Sequence, residues 1–173
     1  MKPLHAAPAA GFDEPFELMA ACHERMARTL GLLGRIGEHV ATHGCDAQAR
    51  DAAKDVLRYF TIAAPLHHQD EELHVIPRLR ARGRDDLADR LLKDHREMEA
   101  AWAAIRPGLE AIRDGVLDPT SLPAERARWA AFTALHADHI DAEDHDAYPM
   151  AGESLAEPEL SAMGREMAGR RRV

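Results

Sequence analysis

Apolar residues recur every three or four positions along most of this chain, the spacing that places them on one face of an α-helix. Beta-branched residues are scarce, whereas alanine, leucine, glutamate and arginine, which favour helices, are abundant. The pattern predicts four long helices, over residues 14–42, 47–82, 84–114 and 122–151. Glycines at positions 44, 83 and 115 follow the first three, as glycines commonly follow helices. Short connections between amphipathic helices indicate an all-α fold, an up-down-up-down four-helix bundle.

The length of 173 residues suits a single domain. We expect the bundle to occupy residues 13–151 and to follow a flexible segment, residues 1–12. Residues 152–173 are a C-terminal extension in which the pattern allows a short fifth helix, over residues 158–170. The chain ends in the basic run GRRRV, which we expect to be a frayed tail rather than a binding site.

Polar side chains interrupt every apolar stripe at one level of the predicted bundle. The interruptions include four histidines, His23, His67, His95 and His139. Successive histidines are 44, 28 and 44 residues apart, so the first and third, like the second and fourth, are offset by 72 residues. The same offset relates Glu71 to Glu143 and Pro77 to Pro149. The sequence therefore predicts a duplicated helical hairpin whose two copies bring the four histidines together in the core.

A glutamate follows two of these histidines by four residues, in the pairs His67–Glu71 and His139–Glu143, and so lies on the same helix face. A carboxylate in an apolar core is very costly unless a cation compensates it. Carboxylates with imidazoles, without thiolates, suit iron or manganese better than a structural zinc site. Four histidines and two glutamates are too many for one open metal site, and they predict two carboxylate-bridged ions. We expect two iron ions, with manganese or zinc as alternatives.

Several residues near these six have weaker claims to a metal. Glu99 lies four residues after His95 and is a lower-ranking candidate ligand, because its counterpart in the repeat is Ala27. His68 and Glu72 form a second pair rotated by about 100° around the helix, which favours a neighbouring or solvated position. Three further histidines have no histidine counterpart and are interpreted as hydrogen-bonding neighbours or surface residues, namely His74, His136 and His145.

Cys22 adjoins His23 and is either a small buried residue or a redox-responsive thiol near the metal. Trp102 and Trp129 fit the apolar stripes and are expected in the core, where a bulky ring could control the access of small molecules. We expect prolines to bend or end their helices locally at four positions, namely Pro65, Pro77, Pro107 and Pro149. Pro65 is otherwise unexplained, because its counterpart in the repeat is Ala137.

Charge and composition exclude some classes of partner. The formal net charge is -8 and the acids are spread along the chain, which argues against a nucleic-acid-binding protein with a clustered basic face. No apolar run approaches the roughly 20 residues that a membrane span requires. The first residues have no apolar stretch of signal-peptide length, and two cysteines without CxxC spacing indicate no disulfide framework. We expect a cytoplasmic protein with reduced thiols and no membrane partner.

The set His23, HHQDEE from His67, His95 and HIDAED from His139 resembles the hemerythrin-like (HHE cation-binding) family. The resemblance spans residues 13–151 and implies a four-helix bundle that holds a non-heme di-iron centre. It also implies that the four histidines are terminal ligands and that Glu71 and Glu143 bridge the irons. Oxygen-carrying hemerythrins have histidine and aspartate where this chain has Glu99 and Glu143. The resemblance is therefore to carboxylate-rich members linked to peroxide, nitric oxide or iron handling, rather than to reversible oxygen carriers.

These observations predict a di-iron protein that binds or reacts with a small oxidant, namely oxygen, peroxide or nitric oxide. The alternative is an iron or redox sensing module without turnover, and the sequence leaves both turnover and oligomeric state open. A ferritin-like site would need ExxH on two helices. Glu71 and His74 supply that spacing once, whereas Asp146 stands at the equivalent place after Glu143.

Overall fold

The computed structural model describes residues 11–171, and all regular structure within that range is helical. The α-helices are α1 Pro15–His43, α2 Ala47–Arg58, α3 Ala64–His74, α4 Ile76–Ala81, α5 Asp85–Asp114, α6 Leu122–Ala142, α7 Tyr148–Gly152 and α8 Glu157–Arg170. Two π-helical turns, Tyr59–Ala63 and Glu143–Ala147, join α2 to α3 and α6 to α7, and a 3-10 turn, Pro119–Ser121, precedes α6. The second predicted helix thus corresponds to α2, a π-helical turn, α3 and α4 in succession. The fourth corresponds to α6, a π-helical turn and α7.

Local sequence explains where these helices begin and end. The Asp46 carboxylate accepts a hydrogen bond from the backbone N–H of Ala49, which satisfies one free donor at the start of α2. Gly83 and Gly115 adopt φ values of +72° and +77° after the helices that they terminate. Residues other than glycine are strained in this left-handed region, which explains why glycine stands at both ends.

Each π-helical turn ends two residues before a proline. The backbone N–H of Ala64 bonds to the carbonyl of Tyr59, and that of Tyr148 bonds to the carbonyl of Glu143, five residues back in both cases. A proline in a regular helix clashes with the carbonyl four residues earlier. The wider turn lies where that clash would arise before Pro65 and Pro149, so a π-helical turn is the local disturbance at Pro65.

The two ends of the helix bundle have separate apolar clusters, with the polar interruptions between them. One cluster runs through the C-terminal half of α1, α2, the C-terminal half of α5 and the start of α6. The other joins the start of α1, α4, the start of α5, α7 and α8. Helices α1 and α5 each pack against α2 and α6. The predicted level of polar residues therefore lies between these two apolar clusters of the core.

The C-terminal helix α8 is anchored by a buried ion-pair cluster. Asp70 in α3 is fully buried, and its carboxylate accepts hydrogen bonds from Arg170 at 2.5 Å and from Arg171 at 2.5 Å. Its repeat counterpart is the buried Ala142, which needs no such partner. The expectation that the basic end of the chain is a frayed tail is wrong for Arg170 and Arg171, because the buried carboxylate requires compensating cations.

The expected flexible segment, residues 1–12, lies outside the described residues except for Gly11 and Phe12. Phe12 packs against the second apolar cluster, and the Arg171 guanidinium lies 5.7 Å from the centre of its ring. Among residues 11–171, we find no helix with the length and apolarity to cross a membrane.

Two glycines of α8 provide a test of how this helix docks. A Cβ at Gly164 would overlap the carbonyl oxygen of Phe12, whereas a Cβ at Gly169 would meet nothing within 4 Å. We expect Gly164→Ala to lower the free energy of unfolding by roughly 1–3 kcal/mol, because backbone must move. Gly169→Ala should be neutral or stabilise by up to about 1 kcal/mol. Denaturant titration compares them, and equal stabilities would contradict this packing.

Candidate metal centre

Six polar residues predicted from the sequence come together between the two apolar clusters. Their exposed fractions range from 0 to 5%, and they are His23, His67, Glu71, His95, His139 and Glu143. They form two groups within which every ligand atom lies within 4.8 Å of the others. One group contains His23 and His67, the other contains His95 and His139, and both contain the two glutamates. This is the arrangement expected of two cations that share two carboxylates.

The Nε2 atoms of the four histidines all point to the glutamate carboxylates. His67 Nε2 lies 3.0 Å from Glu71 Oε1, and His139 Nε2 lies 3.1 Å from Glu143 Oε1, so each glutamate contacts the histidine on its own helical path. His23 Nε2 lies 3.1 Å from Glu143 Oε2, and His95 Nε2 lies 3.3 Å from Glu71 Oε2. Each carboxylate is therefore reached from both repeats.

The chemistry of these atoms fits a pair of cations. Glu71 Oε2 and both carboxylate oxygens of Glu143 are buried without a hydrogen-bond partner. Their distances to the histidine nitrogens are short, but the geometry does not make them hydrogen bonds. His95 Nε2 and His139 Nε2 face each other at 3.2 Å, an arrangement that two neutral acceptor nitrogens would avoid. Buried polar atoms normally have partners, and ligation of a cation would supply them here.

Without a metal, protonated histidines compensate the carboxylates. Burial alone would lower the pKa of His23, but Glu143 and Glu71 outweigh burial and raise that pKa to about 9. Burial also opposes protonation of His67, yet the charge of Glu71 raises the pKa of His67 well above its usual value. Burial would raise the pKa of Glu71, but His67 and the other histidines hold that pKa well below its usual value. The site therefore attracts positive charge strongly.

The outer nitrogens of three histidines bind carboxylates. His23 Nδ1 lies 2.8 Å from Asp144 Oδ1, and His95 Nδ1 lies 2.9 Å from Glu72 Oε1. These two contacts are equivalent under the 72-residue offset, so each hairpin supplies the acid that orients the other's histidine. His139 Nδ1 lies 3.3 Å from Asp94 Oδ2. Such contacts fix the ring and leave Nε2 free to bind a metal.

His67 is the exception, because its buried Nδ1 has no oxygen partner. The repeat counterpart of Asp94 is Cys22, so a thiol stands where a carboxylate orients the equivalent histidine. Burial would raise the pKa of the Cys22 thiol, but His67, Arg25 and Arg171 outweigh burial and lower it. The two halves of the site therefore differ in their outer contacts.

Tyr148 is a site residue that the sequence analysis missed. Its hydroxyl donates a hydrogen bond to Glu71 Oε1 and lies 3.1 Å from His23 Nε2. Burial and the charges of Glu71 and Glu143 raise the pKa of Tyr148 well above its usual value, so the phenol keeps its proton. Its repeat counterpart is Ile76, so no repeated spacing identifies it. Its position just before Pro149, at the start of α7, was the available signal.

The remaining candidates surround the six residues. Glu99 is exposed and belongs to neither group, so its ligand role stays a prediction that the geometry does not favour. His68 stacks on His95 with ring centres 4.3 Å apart, and burial next to His95 holds the pKa of His68 well below its usual value. The Nδ1–H of His136 donates a hydrogen bond to the carbonyl of Phe132 at 2.8 Å.

The other two unrepeated histidines lie farther out. His74 bonds to Glu166 of α8 at 2.6 Å, and the exposed His145 bonds to the carbonyl of Asp141. Neither belongs to a group of candidate ligand atoms among residues 11–171. Both have the neighbouring or surface positions that their lack of a repeat counterpart indicated.

Comparison with known proteins is consistent with this geometry. The family described as "Hemerythrin HHE cation binding domain" matches residues 14–151. An uncharacterized protein of Haemophilus influenzae (strain ATCC 51907 / DSM 11121 / KW20 / Rd) is 30% identical over 166 residues, which cover 95% of this chain and 94% of the relative. The family match covers all six site residues.

The raised pKa values predict opposite responses of the metal-free and metal-loaded protein to pH. A histidine with a raised pKa stabilises the fold fully below about pH 6.5, its pKa when unfolded, and loses that contribution as the pH rises through about 9. The Tm of the metal-free protein should fall by at least about 5 °C between these pH values. The Tm of the metal-loaded protein should hold or rise, because metal and protons compete for Nε2. The prediction is contradicted if the Tm values of the metal-free and metal-loaded protein change with pH in the same way.

The unequal outer contacts predict opposite effects of two substitutions on metal affinity. Cys22→Asp gives His67 the kind of partner that the other histidines have, and should raise affinity about 10-fold. Asp94→Ala removes a carboxylate from His139 and should lower affinity by roughly 10–100-fold. Competition with a chelator measures both, with Cys45→Ser as the matched cysteine control. An affinity for Cys22→Asp no higher than that for Cys22→Ala would contradict the assignment.

Proposed function

Because the chain belongs to the hemerythrin HHE cation-binding family, we propose that it is a non-heme di-iron protein that binds or reacts with oxygen, peroxide or nitric oxide. The observation that supports this most strongly is the sharing of Glu71 and Glu143 by two groups of candidate ligands. In this proposal, His23 and His67 are terminal ligands of one iron, His95 and His139 are terminal ligands of the other, and the glutamates bridge them.

The bound iron pair would supply the electrons and the open coordination positions that an oxidant of this kind requires. The protein contributes the surroundings. The apolar clusters on both sides exclude water, which strengthens electrostatic interactions at the site. Tyr148 keeps its proton and donates a hydrogen bond to Glu71, next to His23. The outer carboxylates hold three of the four imidazole rings in place.

The order of the apolar clusters along the chain supports an up-down-up-down topology. Helix α1 passes from the second cluster to the first, and the path from α2 to α4 passes from the first to the second. Helix α5 and the path from α6 to α7 repeat this alternation. We also propose a cytoplasmic location, as predicted from the sequence, where the two cysteines would remain reduced.

A sensing module without turnover is the second candidate. Three buried carboxylate oxygens without partners favour it, because a fold that needs a cation to compensate them is more ordered when metal is bound. The stability of the folded protein would then rise and fall with the supply of iron. The two candidates differ in whether the oxidant is consumed repeatedly or only binds.

Metal content and an optical spectrum test the proposal. Protein purified in air should contain about two irons per chain and show the absorbance of an oxygen-bridged iron pair, which changes with peroxide or nitric oxide. Repeated consumption of peroxide favours turnover, and a single spectral change without consumption favours sensing. A colourless protein that contains only zinc would contradict the di-iron proposal.

The shared glutamates predict different metal losses from different substitutions. Glu71→Ala should leave less than one iron per chain, because Glu71 belongs to both groups of ligand atoms. His23→Ala should retain about one, because His23 belongs to one group. The matched control Glu99→Ala, at an exposed glutamate outside both groups, should retain about two. Equal iron content in Glu71→Ala and Glu99→Ala would refute the shared-ligand assignment.

A further inference from the structure

A cavity of about 250 Å³ lies beside the His95 end of the six-residue site. Its apolar walls come from Phe60, Ala64, Met98, Trp102 and Phe132. The cavity is also lined by exposed polar residues, between which it opens to solvent, namely Gln69, Glu72, Arg96 and Glu99. A molecule of moderate size could thus reach the side of the candidate metal centre.

Three aromatic rings give the cavity its shape. The ring centre of Phe60 lies 5.0 Å from that of Phe132 and 5.3 Å from that of Trp102. The first of these contacts is edge-on, at an interplanar angle of 70°. Phe60 belongs to the π-helical turn before Pro65, so the proline and the wider turn position this wall. Such walls favour a flat apolar molecule.

One buried polar atom lies in the wall next to the metal centre. His68 Nε2 is buried without a hydrogen-bond partner. The His68 ring stacks on that of the candidate ligand His95 at an angle of 11°, and both imidazoles line the cavity. An unpartnered buried nitrogen can be satisfied by a ligand that brings one hydrogen-bonding group.

The internal repeat places different residues at the equivalent positions of the other half of the bundle. The counterpart of Ala64 is His136, which is 1% exposed, lines this same cavity and lies with its ring centre 4.3 Å from that of Phe132. The counterpart of His68 is Ile140, which packs against the first apolar cluster. The small Ala64 thus corresponds to the larger His136, and His68, with its unpartnered nitrogen, corresponds to an apolar isoleucine.

We propose that this cavity is a binding site for a small apolar organic molecule, about one aromatic ring in size, that carries a single hydrogen-bonding group. An apolar cavity of about 150 Å³ is enough to hold benzene. A diatomic molecule would leave most of this cavity empty, and hydrogen peroxide is too polar for its walls. The site is additional to the proposed oxidant site, and the bound ring lies against His68 and His95, with its polar group on His68 Nε2.

Fluorine NMR of two probes tests the proposal on the metal-loaded protein. We expect saturable binding of 4-fluorobenzyl alcohol with a Kd on the order of 0.1–1 mM. The second probe, 4-fluorotoluene, lacks the hydroxyl and should bind about fivefold more weakly, because a hydrogen bond is lost. The absence of saturable binding by either probe, or equal affinities for the two, would overturn the proposal.

Two variants locate the site. Ala64→Leu fills the cavity and should abolish binding of both probes, whereas the exposed Ala27→Leu is a matched control that should bind normally. His68→Phe retains a stacked ring but removes Nε2. It should lower the affinity for 4-fluorobenzyl alcohol about fivefold and leave the affinity for 4-fluorotoluene unchanged. Unchanged binding in Ala64→Leu would overturn the proposal. If that variant does not fold, an equal effect of His68→Phe on both probes would overturn it.

Replacing iron with zinc separates this proposal from the di-iron function. The cavity walls contain no metal, so zinc-loaded protein should bind the alcohol with the same Kd within about twofold. Loss of binding on this exchange would overturn the cavity assignment, whatever the oxidant chemistry. Retained binding in a protein that fails every oxidant test would support the cavity and contradict only the proposed function.

Discussion

The fold depends on how two fully buried carboxylates, those of Glu71 and Glu143, are compensated. Neither lies near solvent, and three of their four oxygens have no hydrogen bond. Four histidine nitrogens and the Tyr148 hydroxyl surround them, and apolar layers lie above and below. Either protons on the histidines or bound cations must therefore supply positive charge. Stability, pH response and metal binding are consequences of this single electrostatic requirement.

The internal repeat provides histidines for both buried carboxylates. The positions at which the two repeats differ give the His23 and His95 halves of the site different chemistry. His23 and His95 receive equivalent acids, Asp144 and Glu72, from opposite hairpins. Around the His23 half lie Cys22 and Tyr148, a thiol and a phenol, whereas their counterparts are Asp94 and Ile76. The His95 half has the cavity and the unpartnered His68 nitrogen instead. The symmetric core thus explains metal binding, and the asymmetric surroundings support different tasks for the two halves.

The helices and the six core residues could be predicted because each depends on local spacing. An apolar stripe predicts a helix, and a polar residue repeated on that stripe stands out against it. The outer contacts depend on pairs from different helices, so Asp94 and Tyr148 had no recognisable spacing. The sequence made no prediction for Asp70, and its burial explains why Arg170 and Arg171 bind it. A proline indicates a disturbed helix, but the sequence does not reveal that a π-helical turn accommodates it.

Anomalous X-ray scattering from crystals of the iron-loaded protein, measured at the iron absorption edge, tests the central claim most directly. The shared carboxylates predict two peaks in the core, both in contact with Glu71 and Glu143. One peak should lie beside His23 and His67, and the other beside His95 and His139. A single peak, or iron bound away from these six residues, would contradict the account.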